Sequence, residues 1–221
     1  KFPPNFADYI VSLNALIAVF SALFAVAIGI SAVIRRRSAA SGCFFAGMMV
    51  LALVETFNAF AMEAHDFDGL RRWLTAAAIA KCALPVAWIA FSLSYSRGNY
   101  AEFLARWRWF LILSVLVPAA LVLSCRGHLL LSPAGPYVRA AWLHTVPATK
   151  LLDVAILGAF VIILMNLERT IRSAVGTMRW RIKFLVLGLA IIFGARVYTQ
   201  GQALIYNGHS LSLASIDGLS L

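Results

Sequence analysis

The sequence predicts an all-α protein, a polytopic transmembrane helical bundle with six complete spans, the start of a seventh and its N-terminus outside. Three observations carry this reading. Of the 221 residues 62% are hydrophobic, and the mean hydropathy is +0.86. Only 13% are charged, against about 25% in an ordinary soluble domain, so packing in water cannot hide the apolar surface. The apolar residues also fall into runs of the roughly 20 residues that a helix needs to cross the hydrocarbon core. The period-2 alternation of a membrane barrel is absent.

Taken in order, the first run is 10–34, which leads straight into Arg35, Arg36 and Arg37. It is too long for the apolar core of a signal peptide and reads as a retained helix. The second run is 41–62 and the third 73–96. Within the third, Pro85 lacks the donor that would bond the carbonyl of Lys81, so a kink is expected there. The fourth, fifth and sixth runs are 109–125, 147–167 and 184–206. A seventh begins near Leu211 and reaches the last residue, Leu221. Because the sequence opens at Lys1 and ends inside a hydrophobic run, we expect a piece of a longer chain.

Basic residues beside membrane spans gather on the cytoplasmic side. Arg35, Arg36 and Arg37, then Arg97, Arg106 and Arg108, then Arg169, Arg172, Arg179, Arg181 and Lys183 put eleven on one side. Lys1, Arg71, Arg72, Arg126 and Arg139 put five on the other, which is therefore the outside. This placement accounts for most of the net charge of +10. Short juxtamembrane loops of this kind meet anionic headgroups, so the expected partner is the lipid bilayer and not nucleic acid.

Cys43, Cys82 and Cys125 fall at different depths without metal-ligand spacing, and read as free thiols. All four histidines, His65, His128, His144 and His209, lie in outer loops, with Asp66 and Asp68 beside His65. Metal or proton sensing would suit histidine chemistry, but no HxH or HExxH spacing supports it, and solvated loop residues are the expectation. The inner loops 97–109 and 166–183 mix arginine with Trp107, Trp109 and Trp180, the composition of interfacial anchors. The outer loop 126–146 is broken by Pro133, Gly135 and Pro136.

The informative residues are charges at membrane depth, which are costly and mark either packing pairs or a site. Five fall inside predicted spans: Glu55, Lys81, Lys150, Asp153 and Arg196. Counting from the predicted outer ends at 1.5 Å per residue puts Glu55 and Lys81 both about 12 Å down, on an antiparallel hairpin, so they are expected to pair. Arg196 comes out about 15 Å down and Asp153 about 9 Å, a second expected pair, while Lys150 is shallow enough to snorkel. Asn58 follows Glu55 on one helix face, and Thr199 and Gln200 follow Arg196 on another. The candidate ligand- or signal-coupling residues are therefore Glu55, Asn58, Lys81, Asp153, Arg196 and Gln200, as ion pairs that fix packing or as the lining of a binding cavity. No catalytic or metal-ligand set is read.

Over 162–221 the chain carries "GTMRWRIKFLVLG", from Gly176, followed by "ARVYTQGQAL", from Ala195. This stretch resembles the N-terminal membrane region of the PrsK-type histidine kinases of bacterial exosortase/PEP-CTERM systems. The resemblance implies a multi-pass sensory region in the bacterial inner membrane, working as a homodimer. Beyond Leu221 it implies a cytoplasmic signal-input domain, a phospho-accepting dimerisation domain and a kinase domain. ATP and magnesium would serve that kinase, with no cofactor in these residues. The implied partner is a response regulator controlling genes for exopolysaccharide and PEP-CTERM proteins. No kinase catalytic residue maps onto this stretch, so it is expected to be non-catalytic.

Three other classes compete. A transporter or channel subunit would suit the intramembrane charges and Pro85, but there is no internal repeat or matched pair of broken helices. A membrane enzyme would need a nucleophile, base or metal set at one depth, and no HExxH or GxSxG is present. A retinal-type receptor would rest on Lys81 alone.

Overall fold

The structure, a computed structural model, describes residues 6–35, 38–64, 66–95, 100–124, 143–144, 147–173, 177–205, 208–209 and 216–221. His65, Cys125, His128 and most of the loop 126–146 lie outside the described residues. The elements are α1 (Phe6–Arg35), α2 (Ala39–Glu63), α3 (Phe67–Lys81), α4 (Leu84–Ser94), α5 (Tyr100–Ser124), β1 (Leu143–His144), α6 (Pro147–Ser173), α7 (Thr177–Ile205) and β2 (Gly208–His209). A further helical turn covers 216–219. The protein is an all-α helical bundle, and among the described residues six helical stretches are long and apolar enough to cross a membrane. Two of the helices, α3 and α4, together make one such stretch, Phe67–Ser94.

Local chemistry sets the boundaries. Ser38 and Ser41 form a capping box that starts α2: the Ser38 hydroxyl accepts from the Ser41 amide, and the Ser41 hydroxyl accepts from the Ser38 amide. These bonds satisfy amides that a helix start otherwise leaves open. At the start of α3 the Asp66 carboxylate accepts from the Gly69 amide at 2.9 Å. That cap begins the third helix at Phe67, six residues before the hydrophobic run at 73. The helix then ends at Lys81, and α4 restarts at Leu84 with Pro85 in its first turn. The break lies where the missing proline donor predicts it.

Small residues let α1 and α2 approach closely. Ala15, Ala18, Ala22 and Ala25 are buried along one face of α1, as at other close membrane helix contacts. Leu16, Phe20, Leu23 and Phe24 of α1 are exposed, which in a bilayer is contact with lipid. Behind this pair, α2 packs on α3 and α4, α4 on α5 and α6, and α6 on α7. At the α2–α3 end, β1 and β2 form an antiparallel pair with Leu143 opposite His209 and His144 opposite Gly208. This ties the approach to α6 to the exit from α7.

An aromatic cluster fills the bundle toward the other end. Trp88 is 0% exposed and meets Phe44, Phe91 and Phe193 edge-on at ring distances of 5.6, 5.8 and 5.1 Å. Phe193 in turn stacks on Phe160 of α6 at 5.1 Å. One contact depends on a missing side chain, because a Cβ on Gly47 of α2 would lie 2.7 Å from the Trp88 ring. The indole is boxed in by rings and cannot yield, and overpacking of this kind costs about 1–3 kcal/mol. Gly47→Ala should lower the unfolding free energy in detergent or bicelles by that amount, and the unfolding midpoint with it. An unchanged midpoint would mean that α2 and α4 are not packed this closely.

Candidate functional site

Burying an ionised side chain costs several kcal/mol unless a counter-charge and hydrogen bonds meet it, so the buried charges show where the bundle is held. Arg196 of α7 is 2% exposed and Glu55 of α2 is 0% exposed. The Arg196 Nη2 donates to Glu55 Oε1 at 2.7 Å. Depth makes this pair. Glu55 lies eight residues before Glu63, the end of α2, and Arg196 nine before Ile205, the end of α7; at 1.5 Å per residue these are about 12 and about 14 Å.

A second carboxylate shares the guanidinium. Asp217, in the turn 216–219, sets its Oδ2 3.7 Å from Arg196 Nη1, and its Oδ1 accepts from the Thr199 hydroxyl at 2.7 Å. The next residue is held from the other side, where the Ser21 hydroxyl of α1 donates to the Gly218 carbonyl at 2.7 Å. A Cβ on Gly218 would meet Ser21 Oγ at 3.3 Å and Glu55 Oε2 at 3.7 Å. Helices α2 and α7 are not among the closely packed pairs. The long arginine side chain crosses the gap between them, and the 216–221 turn lies beside it, held by α7 and α1.

The cluster is incompletely bonded. Glu55 Oε2, Arg196 Nε and Gln200 Oε1 are buried without hydrogen-bond partners. The first two are related, because Nε and Nη2 lie on one edge of a guanidinium and a carboxylate can grip that edge with both oxygens. Glu55 uses only one. A guanidinium drawn toward two carboxylates presents a full edge to neither. Asn58, one turn along α2 from Glu55, and Gln200, one turn along α7 from Arg196, are also buried. They extend the polar patch toward the α2–α3 end.

Both ion pairs expected from the sequence are corrected. Glu55 pairs with Arg196 and not with Lys81. Because Asp66 caps α3 early, Lys81 lies fourteen residues from the helix start at Phe67, about 21 Å at the helical rise. That is well below Glu55. Lys81 is half-buried, within charge range of Glu55, and has no ion pair among the described residues. Asp153 is buried on α6 but is not a partner of Arg196, whose partners are Glu55 and Asp217. Helix α7 sets Phe193 against Phe160 of α6, while the guanidinium of Arg196 reaches Glu55 of α2 and Asp217 instead. The structure therefore joins Glu55, Arg196 and the neighbouring Asn58 and Gln200, and leaves Lys81 and Asp153 outside. Sequence reasoning missed Ser21, Asp217 and Gly218. The signal for Asp217 was present, a lone charge in the run that begins near Leu211.

No known protein family matches the chain, and no curated protein matches it. The geometry therefore stands alone. Its energetic content is measurable. Arg196→Ala leaves two buried carboxylates without their shared counter-charge and should cost about 3–5 kcal/mol in unfolding free energy. Lys81→Met removes no ion pair and should cost less than about 1 kcal/mol. Equal losses in a detergent-denaturation series would show that Lys81, too, is part of the pairing.

Proposed function

We propose that the chain is a membrane sensory region that relays a membrane or periplasmic signal to a cytoplasmic histidine kinase of the PrsK type. Two things support this reading. The stretch that carries the resemblance includes Arg196, Thr199 and Gln200, the α7 face of the buried cluster. That same face grips Asp217, so a packing change among α1, α2 and α7 bears directly on the 216–221 turn. The single observation that carries the mechanism is the sharing of Arg196 between Glu55 and Asp217. A signal can shift such an element only by favouring one arrangement over the other. In this reading the protein resides in the bacterial inner membrane and acts as a homodimer. A response regulator for exopolysaccharide and PEP-CTERM genes receives its phosphate, and ATP and magnesium serve the kinase region.

The second reading is a transporter or channel subunit, favoured by the helix break at Cys82–Ala83 inside the third span. Transporter sites are often built at broken helices, but typically at matched pairs of them. The described residues hold no counterpart to this break in a corresponding half.

The test is phosphoryl transfer in the full-length protein reconstituted with ATP and magnesium. The expected result is an acid-labile phosphohistidine whose level changes at least about tenfold in Arg196→Gln, the ratio set by 1.4 kcal/mol. No phosphohistidine would sink the kinase reading. Ion flux through the same proteoliposomes would then favour the transporter.

A further inference from the structure

The polar cluster has the composition of a receptor for a carboxylate, and its occupant belongs to the chain itself. Three donors converge on the Asp217–Gly218 turn from two helices: Arg196 and Thr199 of α7, and Ser21 of α1. All three residues are more than nine-tenths buried. Arg196 holds Asp217 loosely, at 3.7 Å, while its Nε lies buried without any acceptor. The guanidinium thus has unused capacity for a carboxylate.

The occupant is also replaceable, because each donor has a second acceptor at hand. Ser21 Oγ is 2.7 Å from the Ile17 carbonyl as well as from the Gly218 carbonyl, and one hydroxyl proton cannot serve both. Thr199 Oγ1 is 3.1 Å from the Arg196 carbonyl as well as 2.7 Å from Asp217. Arg196 can fall back on the free Glu55 Oε2 through its free Nε. Removing the turn therefore leaves both hydroxyls an acceptor and the guanidinium a second carboxylate oxygen of Glu55, which limits the cost of breaking a buried polar contact.

We propose that Arg196 and Thr199 form a carboxylate-binding site, filled in this structure by Asp217 while Ser21 holds the adjoining Gly218 carbonyl, where a free carboxylate takes Asp217's place. Arg196 lies within a few turns of the α2–α3 end, so the carboxylate can arrive from the aqueous side or as the headgroup of a fatty acid in the bilayer. Displacing Asp217 moves the 216–221 turn out of the gap between α2 and α7. This gives the sensory reading its class of signal and rests on that reading for its consequence, although not for the binding.

The experiment uses the full-length protein in nanodiscs. Asp217→Gly should create a vacancy that acetate fills, and the melting temperature should then rise with the logarithm of acetate concentration above its dissociation constant. Acetamide, the uncharged isostere, should do nothing, and Arg196→Gln added to Asp217→Gly should abolish the rise. A rise with decanoate but not acetate would place the source in the membrane. Should Asp217→Gly fail to fold, the unaltered protein provides the readout. There, saturating acetate or decanoate should speed amide exchange at residues 217–221, and Arg196→Gln should remove that effect. Equal responses to acetate and acetamide, or no response to either carboxylate in both assays, would overturn the site. Binding without any change in phosphohistidine would keep the site and defeat only the sensory reading.

Discussion

The bundle depends most on one guanidinium in its interior. Arginine does not give up its proton in proteins, so wherever α7 carries Arg196, a counter-charge must come to meet it. Glu55 does so from a helix that is not closely packed on α7, and the length of the arginine side chain sets that separation. A shorter cation would draw the helices together or leave the carboxylate bare. The opening that results is where the Asp217–Gly218 turn lies, with one side on Ser21 of α1 and the other on Thr199 of α7. The location of the last described segment thus follows from the charge on α7.

The two halves of the bundle are held by different physics. Toward the end away from the α2–α3 loop, Trp88 and its ring neighbours interlock, and a glycine on α2 admits the indole to within contact of the backbone. Interdigitated rings have few alternative arrangements, because a packed interior has no empty volume to move into. In the other half, Glu55, Asn58, Arg196, Thr199, Gln200 and Asp217 are buried with several hydrogen-bonding atoms unmet. Polar contacts of this kind can exchange partners with little change in volume. The break at Cys82–Ala83 lies in the span that passes both halves, between the capped α3 and the aromatic-bearing α4.

The fold was legible because apolar run length is a one-dimensional property that the bilayer imposes directly. Helix boundaries were legible only where their chemistry was recognised. Pro85 marked its break correctly, while the Asp66 cap went unweighed, and that single omission shifted Lys81 upward by about 9 Å at the helical rise. The false Glu55–Lys81 pair followed from it. The Asp153–Arg196 pair failed for another reason. Comparable depth on adjacent helices is necessary for contact but does not decide it, and the long guanidinium side chain reaches Glu55 of α2 and Asp217 instead. Hydropathy marked Glu55, Asn58, Arg196 and Gln200 as polar groups at membrane depth, but not Ser21 or Asp217. Which of them met depended on a turn brought back from beyond the sixth span, and no local pattern encodes that return.

Two carboxylates around one guanidinium also make a different object from two independent ion pairs. Separate pairs, each with both hydrogen bonds made, would resist any exchange, because losing either would leave a bare charge. Here the arginine is committed by one hydrogen bond to Glu55 and by charge alone to Asp217, and the unused edge atoms of the first pair are the ones that the loss of the second would engage. The two arrangements therefore differ by exchange of partners and not by loss of contacts. Such a difference is small enough for a modest differential affinity to reverse. The cluster carries the same total charge whichever carboxylate the arginine holds. A buried group that keeps its overall charge while changing partners can move inside a membrane without paying the desolvation cost again.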